Sequence, residues 1–346
     1  MLTKDQLTEL LTEQGQPAYR ATQILDWIYK KRARSWEEMS NLPEPLREVL
    51  AEKYPLRPLK HTLTKGSKDT TRKFLLELAD GRYVETVLIP ASPALYGERS
   101  DRHTLCVSSQ VGCAYGCKFC ASGLDGFSRN LTSAEIVSQI ILAEELSGEK
   151  VNNLVFMGMG EPLANFKNLC EALEMITSEW GLQIGARRIT VSTSGLVPQI
   201  KLLSEIPRQI RLAISLHGPD NETRDKIMPV NRKFPVEDLF DALRVWNSKK
   251  NQKITLEYIL INGVNADRHH AEILAKRATS INAKVNLIPY NTVEGLDWVR
   301  PSDRDCLAFK SVLTKVGISA TLRLEKGHDI DAACGQLRLK KEKGLL

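Results

Sequence analysis

The sequence predicts an α/β protein. It reads as an open, partial barrel of six strand–helix units, or a doubly wound sheet of the same elements, with an N-terminal helical accessory region and a small β extension. Three observations lead there. From position 104 onward the apolar spacing switches repeatedly between two residues and three to four, as strands alternating with helices in a parallel sheet require. The alternation yields six units and a closing strand, two units short of a closed barrel. The residues of unusual chemistry fall just past strand carboxyl ends, where barrels and open α/β sheets build their sites.

The elements follow in order. Residues 1–60 read as helices, because QLTELLTEQ and AYRATQILDWIYKKRA carry apolar residues three and four apart. Pro43 and Pro45 break the chain before the helical stretch LREVLAEKY. Residues 61–90 read as strands turning at Asp80-Gly81. TLCVSSQV is the first strand of the alternating part, and LTSAEIVSQIILAEELS is a helix whose Thr132 and Glu135 have the spacing of a capping box. The strands VNNLVFMG, RRITVST, IRLAISLH, KITLEYILI and AKVNLIPY each precede an amphipathic helix, and SATLRL closes the series. The domain boundary falls after residue 91, giving an accessory region 1–91 and a core 92–346.

Composition bounds the function. The chain has 346 residues, 42% hydrophobic and 26% charged, as in a globular protein. No apolar run is long enough to span a bilayer, and the N-terminus MLTKDQLTELLTEQ lacks the apolar core of a secretory signal. The expectation is a cytoplasmic protein with no membrane association. Seven cysteines in a reducing compartment are more often metal ligands or redox groups than disulfides. A net charge of +6 permits a polyanionic partner without requiring one.

Four of the seven cysteines lie in CVSSQVGCAYGCKFC at 106–120. Cys113, Cys117 and Cys120 supply three thiolates from one loop. A closed structural zinc site needs four ligands, and no fourth cysteine or histidine lies nearby. A four-iron cluster takes thiolates readily, and three of them leave one iron open. The zinc staple stays as the alternative. MGMGEP at 157–162 ends the second strand with glycines that admit close approach; alone it is a tight turn. Ser192, Ser215, His217 and Asn291 offer polar side chains from neighbouring strand ends. Each alone is more often a turn or cap residue. Cys334, in DIDAACGQL, and Cys106 read singly as small buried residues, but both fall at the expected rim in polar surroundings. Cys170 and Cys306 sit in amphipathic helical patterns and read as packing residues.

The C-x3-C-x2-C spacing after a first barrel strand resembles the radical S-adenosylmethionine enzymes. TLCVSSQVGC, CKFC, MGMGEPL, TVSTSG, SLH, PVNRK, NLIPYN and DIDAACGQL together resemble the RlmN-type dual-specificity RNA methyltransferases over nearly the whole chain. The resemblance implies a radical-SAM barrel, a [4Fe-4S] cluster on Cys113, Cys117 and Cys120, and two S-adenosylmethionine molecules per turnover. It implies cofactor contacts from Gly160, Glu161, Ser192, Ser215, Leu216, His217 and Asn291. It also implies that Cys334 is methylated and then, as a carbon radical, adds to adenine. Cys106 frees the product through a transient disulfide with Cys334, and Glu85 in VETVLIP is the base, although on sequence alone Glu85 is a surface carboxylate. The implied substrates are adenosines of 23S rRNA and tRNA, methylated at carbon 2, with a one-electron reductant such as flavodoxin and a monomeric enzyme. Cfr-type relatives, which methylate carbon 8, tend to have alanine for Pro162, isoleucine for Ser194 and arginine for Pro289. YKKRARSW at 29–36 is a candidate RNA-backbone contact. The chain departs from its relatives in a lengthened ASPALYGERSDRH link and in His328.

Overall fold

A computed structural model describes residues 1–68, 70–91, 101–124, 126–291, 296–323, 336–342 and 344. Ten strands among these residues form one sheet. β1 (Leu59–Gly66), β2 (Arg72–Leu78) and β3 (Tyr83–Pro90) form an antiparallel edge. β4 (His103–Cys106) pairs antiparallel with β3. On its other side begins a parallel run through β7 (Asn153–Phe156), β8 (Ile189–Thr193), β9 (Arg211–Ser215), β10 (Thr255–Leu260), β11 (Lys284–Pro289) and β12 (Ala320–Leu322). Helices Ser133–Ser147, Phe166–Thr177, Val197–Glu205, Val236–Lys249, Arg268–Ser280 and Asp303–Lys315 connect successive parallel strands. The expected six units and closing strand are present, and the sheet stays open.

Three details differ from the sequence reading. The stretch TLCVSSQV does not form one strand. β4 stops at Cys106, and β5 (Gln110–Gly112) pairs instead with β6 (Phe127–Asn130) in a small separate sheet. The break arises because Ser108 and Ser109 bond elsewhere: the Ser108 N–H donates to Gln139 Oε1 at 2.9 Å, and the Ser109 N–H to the Met159 carbonyl at 2.9 Å. A short helix, Asn221–Ile227, capped by Asp220, interrupts the connection after β9. The β1–β3 hairpins join the barrel's sheet rather than forming one of their own.

Pleat and register assign the two faces, because residues paired across strands point the same way and alternate along each strand. Leu105, Leu154, Phe156, Ile189, Val191, Leu212, Ile214, Leu256, Tyr258, Val285 and Leu287 share the convex face and are buried. The helices pack on this face; the Tyr258 ring stacks on Phe309, centroids 5.4 Å apart. The other face carries Cys106, Thr190, Ser192, Ser215, Glu257 and Asn286. Closed barrels usually fill that face with branched apolar side chains. Here it is polar.

The N-terminal helices Lys4–Glu13, Tyr19–Leu25 and Glu44–Lys53 bury Leu7, Leu11, Ile24, Leu25, Leu46 and Leu50 in one core continuous with that of the barrel. Ion pairs fasten them to helix Ser133–Ser147: Arg32 to Glu144 at 2.6 Å and Arg57 to Glu145 at 2.6 Å. The basic stretch 29–36 is therefore partly neutralised, since Arg34 also faces Glu145 and Lys30 pairs with Asp26. Lys31 instead lies 3.6 Å above the Trp27 ring. The expected capping box is formed: Thr132 Oγ1 accepts from the Glu135 N–H, and Glu135 Oε2 from the Thr132 N–H. No helix among the described residues is long and apolar enough to cross a membrane.

Candidate active site

Cys113, Cys117 and Cys120 lie on the loop between β5 and the short helix Ala121–Leu124, all partly exposed. The loop is shaped by close backbone approach. The Cys113 N–H donates to the Gly126 carbonyl at 2.7 Å, and that carbonyl sits 2.0 Å from where a side chain on Gly112 (φ +73°) would begin. Only glycine fits there. Burial pushes the Cys113 thiol up to about 12, with Cys120 and Glu161 adding to it. Burial also raises Cys117, and there Cys120, Cys113 and Glu161 add to the rise while Arg224 opposes it. The three thiols are thus close enough to act on one another.

Among the described residues, no three His, Cys, Asp or Glu side chains converge tightly enough to share one metal ion. In a four-iron cluster each thiolate binds its own iron. The donor set fits such a cluster: three mutually coupled thiols on one loop, which leave one of four irons for another ligand.

MGMGEP packs against residues 107–110, the stretch that leads into this loop. The Gly158 N–H donates to the Val107 carbonyl at 3.1 Å, and the Met159 N–H to Ser108 Oγ at 2.9 Å. Gly160 has φ +95°, and a side chain there would begin 2.4 Å from Gln110 Cβ. Glu161 is buried, with Oε1 accepting from the Leu163 N–H at 3.0 Å and Oε2 from the Ser194 N–H at 2.7 Å. Burial raises its carboxyl and these backbone bonds only partly offset the rise. Ser192 and Ser215 end β8 and β9 with hydroxyl oxygens 3.5 Å apart. Leu216 is fully buried. His217, in a left-handed conformation (φ 55°), meets Phe119 of the thiol loop edge-on at 4.6 Å. Its Nδ1 accepts from the Ile259 N–H at 3.0 Å, which leaves Nε2 as the protonated nitrogen. Burial, with the Arg224 charge, lowers it to about 3, so the ring is neutral at physiological pH. Asn291 follows β11 and is exposed.

Cys106 is buried at the end of β4, and its carbonyl accepts from Thr86 Oγ1 at 2.6 Å. Glu85 is not the surface carboxylate its sequence context implied: it is 2% exposed. It shares the concave face with Cys106, and because β3 runs antiparallel it lies beyond Cys106 toward the rim. Its Oε2 pairs with Lys73 Nζ at 2.7 Å, and its Oε1 accepts from the Arg338 N–H at 2.6 Å. Arg338 belongs to helix Gln336–Glu342. Cys334 and His328 lie outside the described residues, as does most of the lengthened link at 92–100. Cys170 is half-buried and Cys306 buried, each in a helix as expected.

Sequence reasoning missed Lys73, Glu257 and Arg224. Arg224, on the short helix after β9, is fully buried. Its guanidinium donates to the Leu216 carbonyl (3.1 Å), Asn231 Oδ1 (3.2 Å), and the Ser215 (3.4 Å) and Ser194 carbonyls. It therefore ties together the ends of β8 and β9 that carry the rim serines. Glu257 Oε2 accepts from Asn286 Nδ2 at 2.6 Å on the concave face. The only signal in the sequence was a charged residue at an inward strand position, KITLEYILI, legible once the pairing register is known.

Residues 107–274 match the Radical SAM superfamily, and residues 1–55 match the ribosomal RNA large subunit methyltransferase N-terminal domain. A probable dual-specificity RNA methyltransferase RlmN of Akkermansia muciniphila is 56% identical over 340 residues, 98% of this chain and 95% of that one. A protein of the same description from Geobacillus kaustophilus is 45% identical, covering 99% of this chain and 92% of its own. A crystal structure of a radical SAM methyltransferase from Sphaerobacter thermophilus superposes with a TM-score of 0.90 at 42% identity, covering 97% of each chain.

Proposed function

The chain belongs to the RlmN-type family of radical S-adenosylmethionine methyltransferases, enzymes that carry a [4Fe-4S] cluster, and from that membership we propose carbon 2 of adenosine as its target. The substrates are RNAs: the peptidyl-transferase region of 23S rRNA and the adenosine 3′ to the tRNA anticodon. The observation that carries this reading is the meeting, on one concave face and its rim, of the thiol loop, the Ser192–Ser215 pair, Cys106 and Glu85. Pro162, Ser194 and Pro289 further support carbon 2 over carbon 8.

Cys113, Cys117 and Cys120 would hold the cluster, and Gly160, Glu161, Ser192, Ser215, Leu216, His217 and Asn291 would line the S-adenosylmethionine site. When bound, the cluster supplies the electron that cleaves S-adenosylmethionine reductively. The chain's residues do the rest. Cys334 carries the methyl carbon that bonds to the adenine ring. Glu85 takes the ring proton displaced at that carbon; a buried carboxylate on the concave face can reach only a base presented there. Cys106 then attacks the Cys334 sulfur; the sulfur–carbon bond breaks with its electrons on the carbon, which takes up a proton to become the methyl group, and a disulfide closes. His217, as a neutral Nε2–H donor, offers a hydrogen bond without adding charge. Residues 1–91 hold the RNA, with Lys31 and Trp27 presenting a cation and a ring for stacking. A flavodoxin-class reductant supplies electrons to a monomeric enzyme.

The test is an anaerobic assay of reconstituted protein with reductant, unmodified 23S rRNA and tRNA, and S-adenosylmethionine deuterated in its methyl group. Labelled 2-methyladenosine is the expected product. Labelled 8-methyladenosine would assign the chain to the other regiochemistry, and no labelled adenosine would reject the reading.

A further inference from the structure

Glu85 and Glu161 are both buried carboxylates near the same rim, but they are held differently. Glu161 accepts from two backbone N–H groups. Glu85 accepts from one backbone N–H, of Arg338, and from an ammonium, Lys73 Nζ, at 2.7 Å. Lys73 is wholly buried. It lies on β2 opposite Val87, and Glu85 lies opposite Leu75. Lys73 and Glu85 are therefore diagonal neighbours on one face, within reach of a long side chain.

We propose that Lys73 is a positioning residue for the base: its ammonium holds one oxygen of the Glu85 carboxylate and fixes its direction along the concave face. This rests on the reading of Glu85 as the proton acceptor. A buried carboxylate needs charged or hydrogen-bonding partners, and Lys73 supplies one from the neighbouring strand. Its bond and that of the Arg338 N–H fall on different oxygens, so the carboxylate is pinned at both and cannot rotate freely. Stability alone gives no reason for a lysine here, because a buried ion pair is commonly matched or exceeded by apolar side chains of similar volume.

The experiment compares Lys73→Met, Lys73→Arg, Glu85→Gln and the double variant Lys73→Met/Glu85→Gln as reconstituted holoenzymes. Single-turnover methyl transfer to unmodified tRNA is measured alongside KM for tRNA and amide exchange of residues 336–342. Glu85→Gln and Lys73→Met should each slow the turnover by about 100-fold or more, the scale of a lost general base, with KM little changed. Lys73→Arg, which keeps the charge, should recover most of the rate. The double variant should be no slower than Glu85→Gln alone, and amide exchange in 336–342 should quicken whenever the Glu85 anchor is weakened. If Glu85→Gln keeps the wild-type rate, the base reading itself fails and takes this proposal with it. If Glu85→Gln is slow while Lys73→Met is not, or if the two losses multiply, the proposal for Lys73 is overturned and the base reading stands. Should Lys73→Met not fold, the double variant, which buries no unpaired charge, and Lys73→Arg decide the question.

Discussion

The two faces of the sheet are built from the same strands and do opposite work. The convex face is a continuous row of Leu, Ile, Val, Phe and Tyr side chains sealed by helices, with Leu154, Ile189, Val191, Ile214 and Leu256 fully buried. The concave face alternates with it residue by residue and holds Cys106, Ser192, Ser215, Glu257, Asn286, Lys73 and Glu85. Burying polar groups costs free energy unless they are bonded, and here each acidic group has a named partner: Lys73 for Glu85 and Asn286 for Glu257. One face holds the fold together. The other brings polar and charged side chains together inside the sheet.

Substitutions can break that division or sharpen it. The largest effect is expected at the rim. Cys117→Ala should abolish methyl transfer and lower iron and sulfide content after reconstitution while the apoprotein melts as before; full iron loading would remove Cys117 from the ligand set. On the convex side, Trp246→Ala should cost about 3–5 kcal/mol of stability, as deletion of a buried tryptophan does. Its affinity for S-adenosylmethionine, measured on the folded protein, should be unchanged, and a large loss of affinity would show that the faces are not independent. A smaller effect is expected at Ser192→Ala: melting stays put, and S-adenosylmethionine Kd weakens roughly fivefold, equivalent to about 1 kcal/mol for one hydrogen bond.

The smallest effect is a pH dependence. Burial raises the Glu257 carboxyl above its ordinary 4.5. The folded state therefore binds that proton more tightly than the unfolded one. The stability linked to Glu257 is fully present below about 4.5 and is lost as pH rises through the folded value. Glu257→Gln should flatten this loss and melt slightly higher than the wild-type apoprotein at neutral pH. An unchanged pH profile would mean that Glu257 is ionised in its site.

The thiol loop was legible in the sequence because its chemistry is local: the spacing of Cys113, Cys117 and Cys120 fixes a ligand set without reference to anything distant. The strand–helix order was legible for the same reason, since periodicity is a property of each segment. Capping at Thr132 and Glu135 needed three residues of context, and it formed as read. The failures were nonlocal. TLCVSSQV has strand composition throughout, yet the chain leaves the sheet at Ser108 because Gln139 and Met159 claim its backbone. YKKRARSW reads as a basic stretch, and only the fold shows that Glu144 and Glu145, more than a hundred residues away, take up Arg32 and Arg34.

By itself, then, the sequence determined the α/β order, the three cysteines that share one loop, and the family. Only the tertiary structure decided which face each strand residue joins and which charges meet. Glu85 and Lys73 are twelve residues apart on adjacent strands, and nothing in their spacing says that they touch. Strand register does, because a shift of one residue would turn each side chain to the opposite face. Register is set by the whole sheet, so the pairing that buries Glu85 against Lys73 is a property of the assembled fold.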